Sequence, residues 1–394
     1  MYIFKYIYGE HPNSPFLFRK CLLNWKTFQR WSPEYIAQSM LNNKVKFKIG
    51  KRNEIRENIQ KYHDIEILET FENFVNWCNG VGKSKFSEFD VSNNWAYCCY
   101  EHVENLFELC PGIIDDIDWK FFGLPENLKG RSVFWMGSLG SFTDCHYDTY
   151  GCNLVCQLRG TKKWLLFPPE DTKYLYPTRI PYEESSVFSS IDFNNPDLNR
   201  FPNLMKATPH VIKLSPGDVL FVPPHWWHFV KTEEDIDETC SLSINLWIDD
   251  PTVDNENRIL ECLIKMVTFS FLDSDFLPSI PKGAIINKEE FFSEDWGSTS
   301  ISNLNDLLNK NVPYQIHTSI NSVFDNFEGE KILPKKWTDV FPNSNINYQL
   351  SFGINSIGQL DIINCFTHPE VIKTVKNVLM HRMTSENEDL VENC

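Results

Sequence analysis

The segment SLSINLWI, residues 241–248, alternates strictly between aliphatic side chains and side chains of another kind. In a β-strand, successive side chains point to opposite faces. One face would carry only aliphatic residues, namely Leu242, Ile244, Leu246 and Ile248. The other face would carry Ser243, Asn245 and Trp247. A polar face with a tryptophan, on so apolar a strand, must meet water or line a cavity. We therefore expect a sheet that encloses a usable interior.

Short strand signals separated by turns fill residues 131–250. NLVCQL and KWLLF flank RGTK, which predicts a β-hairpin. Residues 215–218, SPGD, form a turn signal before the apolar run VLFV, and two prolines end that run. Several short strands at this spacing are typical of a double-sheet jelly roll. We predict a mainly β protein.

The flanking regions have helical signals. Ser32-Pro33-Glu34 is a helix start, with a cap, a proline in the first turn and an acid after it. Helical periodicity returns after Pro251, whereas residues 280–350 are rich in Asn, Ser and Pro and give no clear order. We predict three parts: an N-terminal helix and strand region at 1–90 that packs on the barrel, a jelly roll at 91–250 and a C-terminal helical extension at 251–394.

Charge and cysteine content limit the classes of partner and compartment. The chain has 37 basic and 53 acidic residues and a formal net charge of −16, which argues against a broad nucleic-acid surface. We find neither a signal-peptide pattern nor a membrane-spanning segment. The 12 cysteines form no CxxC pair, so we expect reduced thiols. We expect a cytoplasmic protein, with the nucleus as a second location.

The stretch TDCHYDTYGCN, residues 143–153, contains a histidine and a carboxylate two residues apart. His146 and Asp148 would leave the same face of a strand. His228, in VPPHWWHFV, begins a neighbouring predicted strand. Two imidazoles and one carboxylate on one face of a metal suit non-haem ferrous iron, which keeps open positions for its other ligands. Zinc with one water would use the same three residues, so the spacing leaves both metals open.

Several motifs in fixed order resemble the JmjC-domain hydroxylases. They are HYD, QLRGTKKWLLFPPE, LSPGDVLFVPPHWWH and SINLW. Their order and spacing are similar to those of the asparaginyl hydroxylase that inhibits hypoxia-inducible factor. PYEESSVFSSID, FRKCLLNW and KFKIGKR resemble more closely the JmjC proteins associated with small heat-shock proteins. The resemblance covers roughly residues 14–250. It implies a double-stranded β-helix of the cupin type.

The resemblance also implies roles for individual residues. The Fe(II) ligands would be His146, Asp148 and His228. The distal carboxylate of the co-substrate, 2-oxoglutarate, would be held by Lys162 and Thr143, with Tyr97 beside them. Asn153 and Asn245 would border the co-substrate. Lys162 in RGTKKW has a simpler alternative as a surface charge on a hairpin. Trp247 shares a predicted face with Asn245, so we expect it to touch a substrate.

The expected activity is a dioxygenase that uses Fe(II), 2-oxoglutarate and dioxygen to hydroxylate a C–H bond, with a protein side chain as substrate. Two alternatives remain open. One is a hydroxylase of a transfer-RNA nucleoside. The other is a non-catalytic interaction protein associated with a chaperone, whose C-terminal helices bind a small heat-shock protein. The resemblance further suggests a homodimer through those helices.

Overall fold

A computed structural model gives the three-dimensional structure of the chain. The residues that it describes are 13–54, 56, 65–180, 182–235, 238–248, 251–271, 329–341 and 359–378. Within these ranges the protein consists of two antiparallel sheets with helices around them. None of the helices in these ranges combines the length and apolar character that a membrane crossing requires.

The larger sheet has nine strands. In chain order they are β1 (Phe16–Phe18), β2 (Lys44–Lys51), β3 (Ile65–Thr70), β4 (Asn94–His102), β5 (Val133–Ser138), β7 (Cys152–Arg159), β12 (Val219–Val222), β14 (Cys240–Ile248) and β15 (Glu330–Lys331). Across the sheet their order is β15-β1-β12-β7-β14-β5-β4-β2-β3. The order places strands from both ends of the described chain at one edge.

The smaller sheet has six strands. They are β6 (Phe142–Asp148), β8 (Lys162–Phe167), β9 (Pro177–Thr178), β10 (Ser186–Ser189), β11 (His210–Leu214) and β13 (Trp227–Thr232). Their order is β11-β8-β13-β6-β10-β9. The two sheets pack face to face as a jelly roll, which confirms the predicted fold class.

The α-helices in the described ranges lie mainly before β4 and after β14. They are α1 (Lys26–Arg30), α2 (Pro33–Met40), α3 (Phe71–Cys78), α4 (Val103–Leu106), α5 (Pro251–Phe271), α6 (Trp337–Val340) and α7 (Gln359–Phe366), and a further helix covers residues 369–378. The predicted start of α2 is confirmed, because the Ser32 hydroxyl accepts a hydrogen bond from the Tyr35 amide and Pro33 occupies the first turn.

The apolar core is divided by the sheets. The largest cluster covers the outer face of the nine-stranded sheet, where Leu242 and Ile244 of β14 belong to the same cluster as Trp25, Trp31 and Phe74 from the N-terminal region. A second cluster, including Leu165, Phe167 and Phe229, covers the outer face of the six-stranded sheet. A third lies between the sheets and includes Val155, Trp164 and Leu220.

The predicted hairpin of NLVCQL and KWLLF is wrong. β7 already has β12 on one side and β14 on the other, so neither of its edges is free for β8. β8 pairs instead with β11 and β13 in the other sheet. Gly160 makes the crossing with φ of 62°, and a Cβ there would lie 2.7 Å from the Cys240 carbonyl oxygen. The Gln157 side chain donates to the carbonyls of Arg159 and Gly160 and so closes the bend.

The sheets also cross both predicted domain boundaries. β2 pairs with β4 across residue 90, and β15 pairs with β1 across residue 250. In addition, Trp337 is buried in the cluster on the outer face of the six-stranded sheet. The division into three parts stays a prediction, but the parts share sheets and core. Each cysteine of the described ranges is a free thiol.

A buried ion pair fixes helix α5 to the jelly roll. The guanidinium of Arg179 donates to both carboxylate oxygens of Glu261, at 3.0 and 2.7 Å. The two side chains are only 1% and 3% exposed. The Ser185 amide adds a third hydrogen bond to the same carboxylate, at 3.0 Å. This set of bonds orients the face of α5 that meets the barrel.

We expect Glu261→Ala to lower the free energy of unfolding by about 3 to 5 kcal/mol, because it leaves the Arg179 charge buried without its partner. Urea denaturation of the full chain measures this. The matched control is Lys265→Ala on the same helix, whose pair with Glu184 at 3.3 Å is partly exposed. Its loss should be under about 1 kcal/mol. Equal losses for the two variants would show that the buried pair does not anchor the helix.

Candidate metal centre

A cavity of about 320 Å³ lies between the two sheets. The inner face of β14 contributes Ser243, Asn245 and Trp247 to its wall. The aliphatic residues of the same strand are buried in the cluster on the opposite face. The predicted alternation is therefore confirmed, and the polar face lines a cavity rather than meeting bulk water.

Three potential metal ligands meet in this cavity. His146 and Asp148 lie on β6, and His228 lies on β13 directly opposite His146 in the strand register. The ligand atoms of the three residues lie within 4.8 Å of one another. The centroids of the two imidazole rings are 4.2 Å apart. The structure thus brings together the three residues that the sequence singled out.

Backbone carbonyls fix the orientation of both imidazoles. Nδ1 of His146 lies 2.7 Å from the carbonyl oxygen of Asp144, and Nδ1 of His228 lies 3.0 Å from that of Trp226. A carbonyl only accepts, so each Nδ1 carries a proton, and Nε2 is the ring nitrogen that is left to face a metal. Burial, followed by the neighbouring His146, lowers the pKa of His228 to about 4. His228 is therefore in its neutral, metal-ligating form at pH 7.

The carboxylate of Asp148 is also oriented by a neighbour. Its Oδ2 accepts a hydrogen bond from the indole Nε1 of Trp247 at 2.8 Å. Its Oδ1 lies 3.8 Å from Nε2 of His146. One oxygen is therefore held by the tryptophan, while the other faces the histidines. Such supporting hydrogen bonds are usual around metal ligands, because they fix the geometry of the donor atom.

The donor set fits a divalent transition metal. Two imidazole nitrogens and one carboxylate oxygen converge on one point, and the other polar atoms of these side chains already have hydrogen-bond partners. The rest of the surrounding space belongs to the cavity, which leaves room for further ligands. This combination matches the facial arrangement of non-haem iron sites. The same three donors also fit zinc.

Lys162 is buried in the same cavity as the triad. Its side chain is 3% exposed, and its ammonium nitrogen contacts Ser243 Oγ at 2.8 Å and the Tyr97 hydroxyl at 3.3 Å. Burial lowers the pKa of this lysine to about 7. Among the described residues, no carboxylate lies within ion-pair distance of it. Lys162 is thus a buried cation rather than a surface charge, and its surroundings suit a bound anion.

Thr143 reaches the cavity because strand β6 is irregular. In the pairing of β6 with β13, His146 faces His228 but Thr143 faces Val230, so β6 has one extra residue between them. Such a bulge changes which face a side chain takes. Thr143 therefore lines the cavity and hydrogen-bonds to Tyr97, although simple alternation would place it on the opposite face from His146.

The two predicted asparagines form a chain of hydrogen bonds along the cavity wall. Asn245 Nδ2 donates to Asn153 Oδ1 at 2.8 Å, and Asn245 Oδ1 accepts from the indole of Trp135 at 2.7 Å. Both amides line the cavity that contains Lys162 and the triad. Their positions agree with the expected border of a co-substrate, while that role itself stays a prediction.

The structure shows contacts of other cavity residues that the sequence did not predict. Contact of Trp247 with a substrate stays a prediction, and the structure gives this residue a different contact, a hydrogen bond to Asp148. The ring of Trp164 stacks on His228 at 5.7 Å. Arg258 of α5 lines the cavity, although the sequence placed the whole site before residue 250. Helical periodicity alone carries no signal for such a contact.

Two neighbouring residues stay outside the cluster of ligands. Cys145 is buried in the cluster on the outer face of its sheet, where desolvation raises the pKa of its thiol well above the usual value. His225 bonds through Nε2 to the carbonyl oxygen of Thr149 at 2.9 Å. Neither residue therefore belongs to the group of three potential metal ligands.

Fold and site together define a jelly-roll protein with a His–Asp–His cluster inside it. The family model described as "Cupin-like domain" matches residues 9–253. The chain belongs to this cupin-like family, in its JmjC form.

Curated relatives agree with this assignment. "HSPB1-associated protein 1" from Homo sapiens is 42% identical over 257 residues, which cover 64% of this chain and 51% of that protein. The Danio rerio homolog is 36% identical over 266 residues, 67% of this chain and 58% of that protein. "Lysine-specific demethylase JMJ31" from Arabidopsis thaliana is 26% identical over 262 residues, 60% of this chain and 46% of that protein. The chain thus spans about half the length of the curated relatives it matches.

We expect Trp247→Phe to weaken metal binding about 10- to 100-fold, because Asp148 loses the hydrogen bond that orients it. Titration of Mn²⁺ or Co²⁺ into the full chain measures the affinity. The matched control is Trp164→Phe, since the buried indole nitrogen of Trp164 has no hydrogen-bond partner within the described part of the chain. That change should leave metal affinity within about twofold, as it removes no hydrogen bond. A similar loss for both variants would point to packing rather than to support of Asp148.

Proposed function

We propose that this protein is an Fe(II)- and 2-oxoglutarate-dependent dioxygenase that hydroxylates a C–H bond of a protein side chain. The observation that carries the proposal is the presence of two sites in one cavity. The His–Asp–His cluster suits the metal, and the buried Lys162 suits a carboxylate. A protein that kept the jelly-roll fold without the activity would not need a buried lysine beside three side-chain atoms that can ligate a metal.

The protein's own residues would prepare this reaction in several ways. His146, His228 and Asp148 would hold the iron on one side. Lys162 and Thr143 would hold the distal carboxylate of 2-oxoglutarate, and the ordered amides of Asn153 and Asn245 would limit its position. Iron with 2-oxoglutarate and dioxygen supplies the oxidising power when bound, and the sandwich around it excludes water.

The substrate class rests on the relatives. Some of them carry the printed name of lysine-specific demethylases, which act on protein side chains. A protein substrate also agrees with the net charge of −16, which is unfavourable for a long nucleic acid. A transfer-RNA nucleoside remains the alternative enzyme substrate.

Association with a small heat-shock protein is a second proposed function. It is favoured by one observation, the name "HSPB1-associated protein 1" that several relatives share. These relatives match across the jelly roll, so the association is a proposal for this chain and is compatible with catalysis. Self-association through the C-terminal helices and a cytoplasmic or nuclear location also remain predictions.

Turnover without a substrate separates an enzyme from a scaffold. The full chain with Fe(II) and oxygen should convert 2-oxoglutarate slowly to succinate, as uncoupled oxygenases do. His146→Ala should reduce succinate to the level of buffer alone, because one of three metal ligands is lost. The control is His368→Ala, a histidine of the C-terminal region that does not line the cavity. Absence of succinate from the iron-loaded parent protein would contradict the proposed activity.

Binding of 2-oxoglutarate should depend on pH through Lys162. The carboxylate prefers the ammonium form, whereas burial lowers the pKa of the free lysine to about 7. Affinity should be greatest below this pKa and should fall by up to about tenfold for each pH unit above it. Binding near about pH 8.5 should take up close to one proton, and near about pH 6 almost none. Calorimetry in buffers of different ionisation enthalpy measures the uptake.

Lys162→Met provides the control for this dependence. It should weaken co-substrate binding by about two orders of magnitude or more, since a buried carboxylate without its cation costs about 3 to 5 kcal/mol. The variant should also lose the proton uptake and keep its affinity for the metal. A parent protein that binds 2-oxoglutarate with no proton uptake at high pH would rule out this assignment of Lys162.

A further inference from the structure

An ion pair joins the two sheets at the wall of the cavity. Nη1 of Arg56 donates to both carboxylate oxygens of Asp144, at 2.7 and 2.9 Å. Arg56 follows β2 of the nine-stranded sheet, whereas Asp144 lies on β6 of the six-stranded sheet. The two side chains line the cavity and are only 7% and 24% exposed. Because the pair is largely shielded from solvent, salt screens it less than a surface pair.

The ion pair reaches β6 at its bulge. There Asp144 and Cys145 stand opposite the single residue Phe229 of β13. Cys145 belongs to the outer cluster, while Thr143 and Asp144 both line the cavity, which regular alternation would not allow for two successive residues. β10 pairs with β6 only over residues 146–148, so within the described strands the bulge has a neighbour on one side alone. Its position therefore depends more on side-chain contacts than that of a residue paired on both sides.

Arg56 contacts the residues on both sides of Thr143. Its guanidinium carbon lies 5.3 Å from the ring centre of Phe142, which begins β6. On the other side of Thr143 the same guanidinium group holds Asp144. Thr143 is the residue that is expected to hold the distal carboxylate of 2-oxoglutarate together with Lys162. Because both of its neighbours are held by one arginine, the direction of the Thr143 hydroxyl depends on Arg56.

The same aspartate orients a potential metal ligand. The carbonyl oxygen of Asp144 lies 2.7 Å from Nδ1 of His146. The direction of this carbonyl follows from the backbone of the bulge, and the carboxylate of the same residue ties that backbone to Arg56. Partners of this kind set the ring orientation of a ligating histidine. Arg56 is thus connected to the metal centre through His146 and to the co-substrate pocket through Thr143.

The backbone near Arg56 is anchored on both sheets. The amide of Arg56 donates to Oδ2 of Asp192, after β10, at 3.3 Å. Arg52, the last residue of the KFKIGKR motif, donates from its amide to the carbonyl oxygen of Asn93 at 2.9 Å and from Nε to that of Asn94 at 3.0 Å. These bonds tie the chain after β2 to the start of β4. The arginine therefore reaches the bulge from a backbone that is itself held in place.

We propose that Arg56 is a positioning residue, which holds the bulge of β6 through Asp144 and so sets the directions of Thr143 and His146 together. The part of this inference that concerns 2-oxoglutarate rests on the proposed function. The part that concerns the metal needs only the candidate metal centre. Arg56 acts through its neighbours, without contact to the metal or the co-substrate. Loss of the ion pair therefore weakens the binding of both ligands at once.

Ligand binding to the full chain tests this proposal without turnover. Mn²⁺ is titrated into the metal-free chain, and 2-oxoglutarate is then titrated into the Mn²⁺-loaded chain in the absence of oxygen. Arg56→Met and Asp144→Asn should each weaken both affinities about tenfold. The double variant should stay within about twofold of either single variant, since all three lack the same ion pair. Arg56→Lys keeps a charged nitrogen and should bind both ligands about threefold more tightly than Arg56→Met.

The visible absorption of bound Co²⁺ separates positioning from a loss of stability, because it depends on the geometry of the ligands. Arg56→Met should change this spectrum. The matched control is Arg19→Met, which breaks a pair of 2.7 Å with Asp218, a side chain that is 3% exposed. Neither residue of the control pair lines the cavity. Arg19→Met should lower the urea midpoint but leave the Co²⁺ spectrum unchanged and both affinities within about twofold of the parent.

Parent-like affinities in Arg56→Met and Asp144→Asn, additive losses in the double variant, or equal losses in Arg19→Met overturn the proposal. If Arg56→Met does not fold, Arg56→Lys and Asp144→Asn decide by the same criteria.

The result is separable from the proposed activity. If the parent forms no succinate but its Mn²⁺ affinity and Co²⁺ spectrum depend on Arg56 as expected, the hydroxylase proposal fails and the positioning of His146 stands. If succinate forms and the variants bind both ligands as the parent does, the reverse holds.

Discussion

In a structure of two packed sheets, each sheet has an outer face and an inner face. The rest of this structure depends on which of these faces buries the apolar side chains. The outer faces are covered by large aromatic clusters, with Trp25 and Trp31 on one side and Phe167 and Phe229 on the other. Most of the apolar burial that stabilises the fold is therefore outside the sandwich. Because the outer faces supply this burial, the space between the sheets can contain a polar cavity at one end. Without them, stability would require an apolar core there.

That interior supports charge by orienting neutral dipoles around it. Carbonyl oxygens hold the histidine rings, an indole holds Asp148, and two hydroxyl groups surround the ammonium of Lys162. In a medium of low polarity such groups are strong partners, and any one left unpaired is costly. Most of these partners lie on strands, whose positions are fixed by pairing on both sides. The site is thus prepared before any ligand arrives.

The sequence correctly predicted features that follow from the two-residue period of a strand. It did not predict features that depend on contacts between distant segments. Alternation placed Asn245 and Trp247 on a cavity wall, and two-residue spacing placed His146 beside Asp148. The hairpin prediction at RGTK was wrong, because a turn signal does not show whether the next strand joins the same sheet or the opposite one. The inward position of Thr143 came from the family resemblance, since a bulge reverses the side that alternation would give. Arg258 enters the site through the packing of α5, which has no local signature.

Strand β1 has a consequence for how the protein is made. Phe16, Leu17 and Phe18 pair with residues 219–221 and with residues 330–331, so their first partner is about two hundred residues further along the chain. At roughly 5–20 residues per second, a ribosome needs roughly 10 to 40 s to produce that partner. During this interval β1 lacks the strand partners that it has in the finished sheet. The cell must therefore tolerate or protect this end of the polypeptide until most of the jelly roll has been translated.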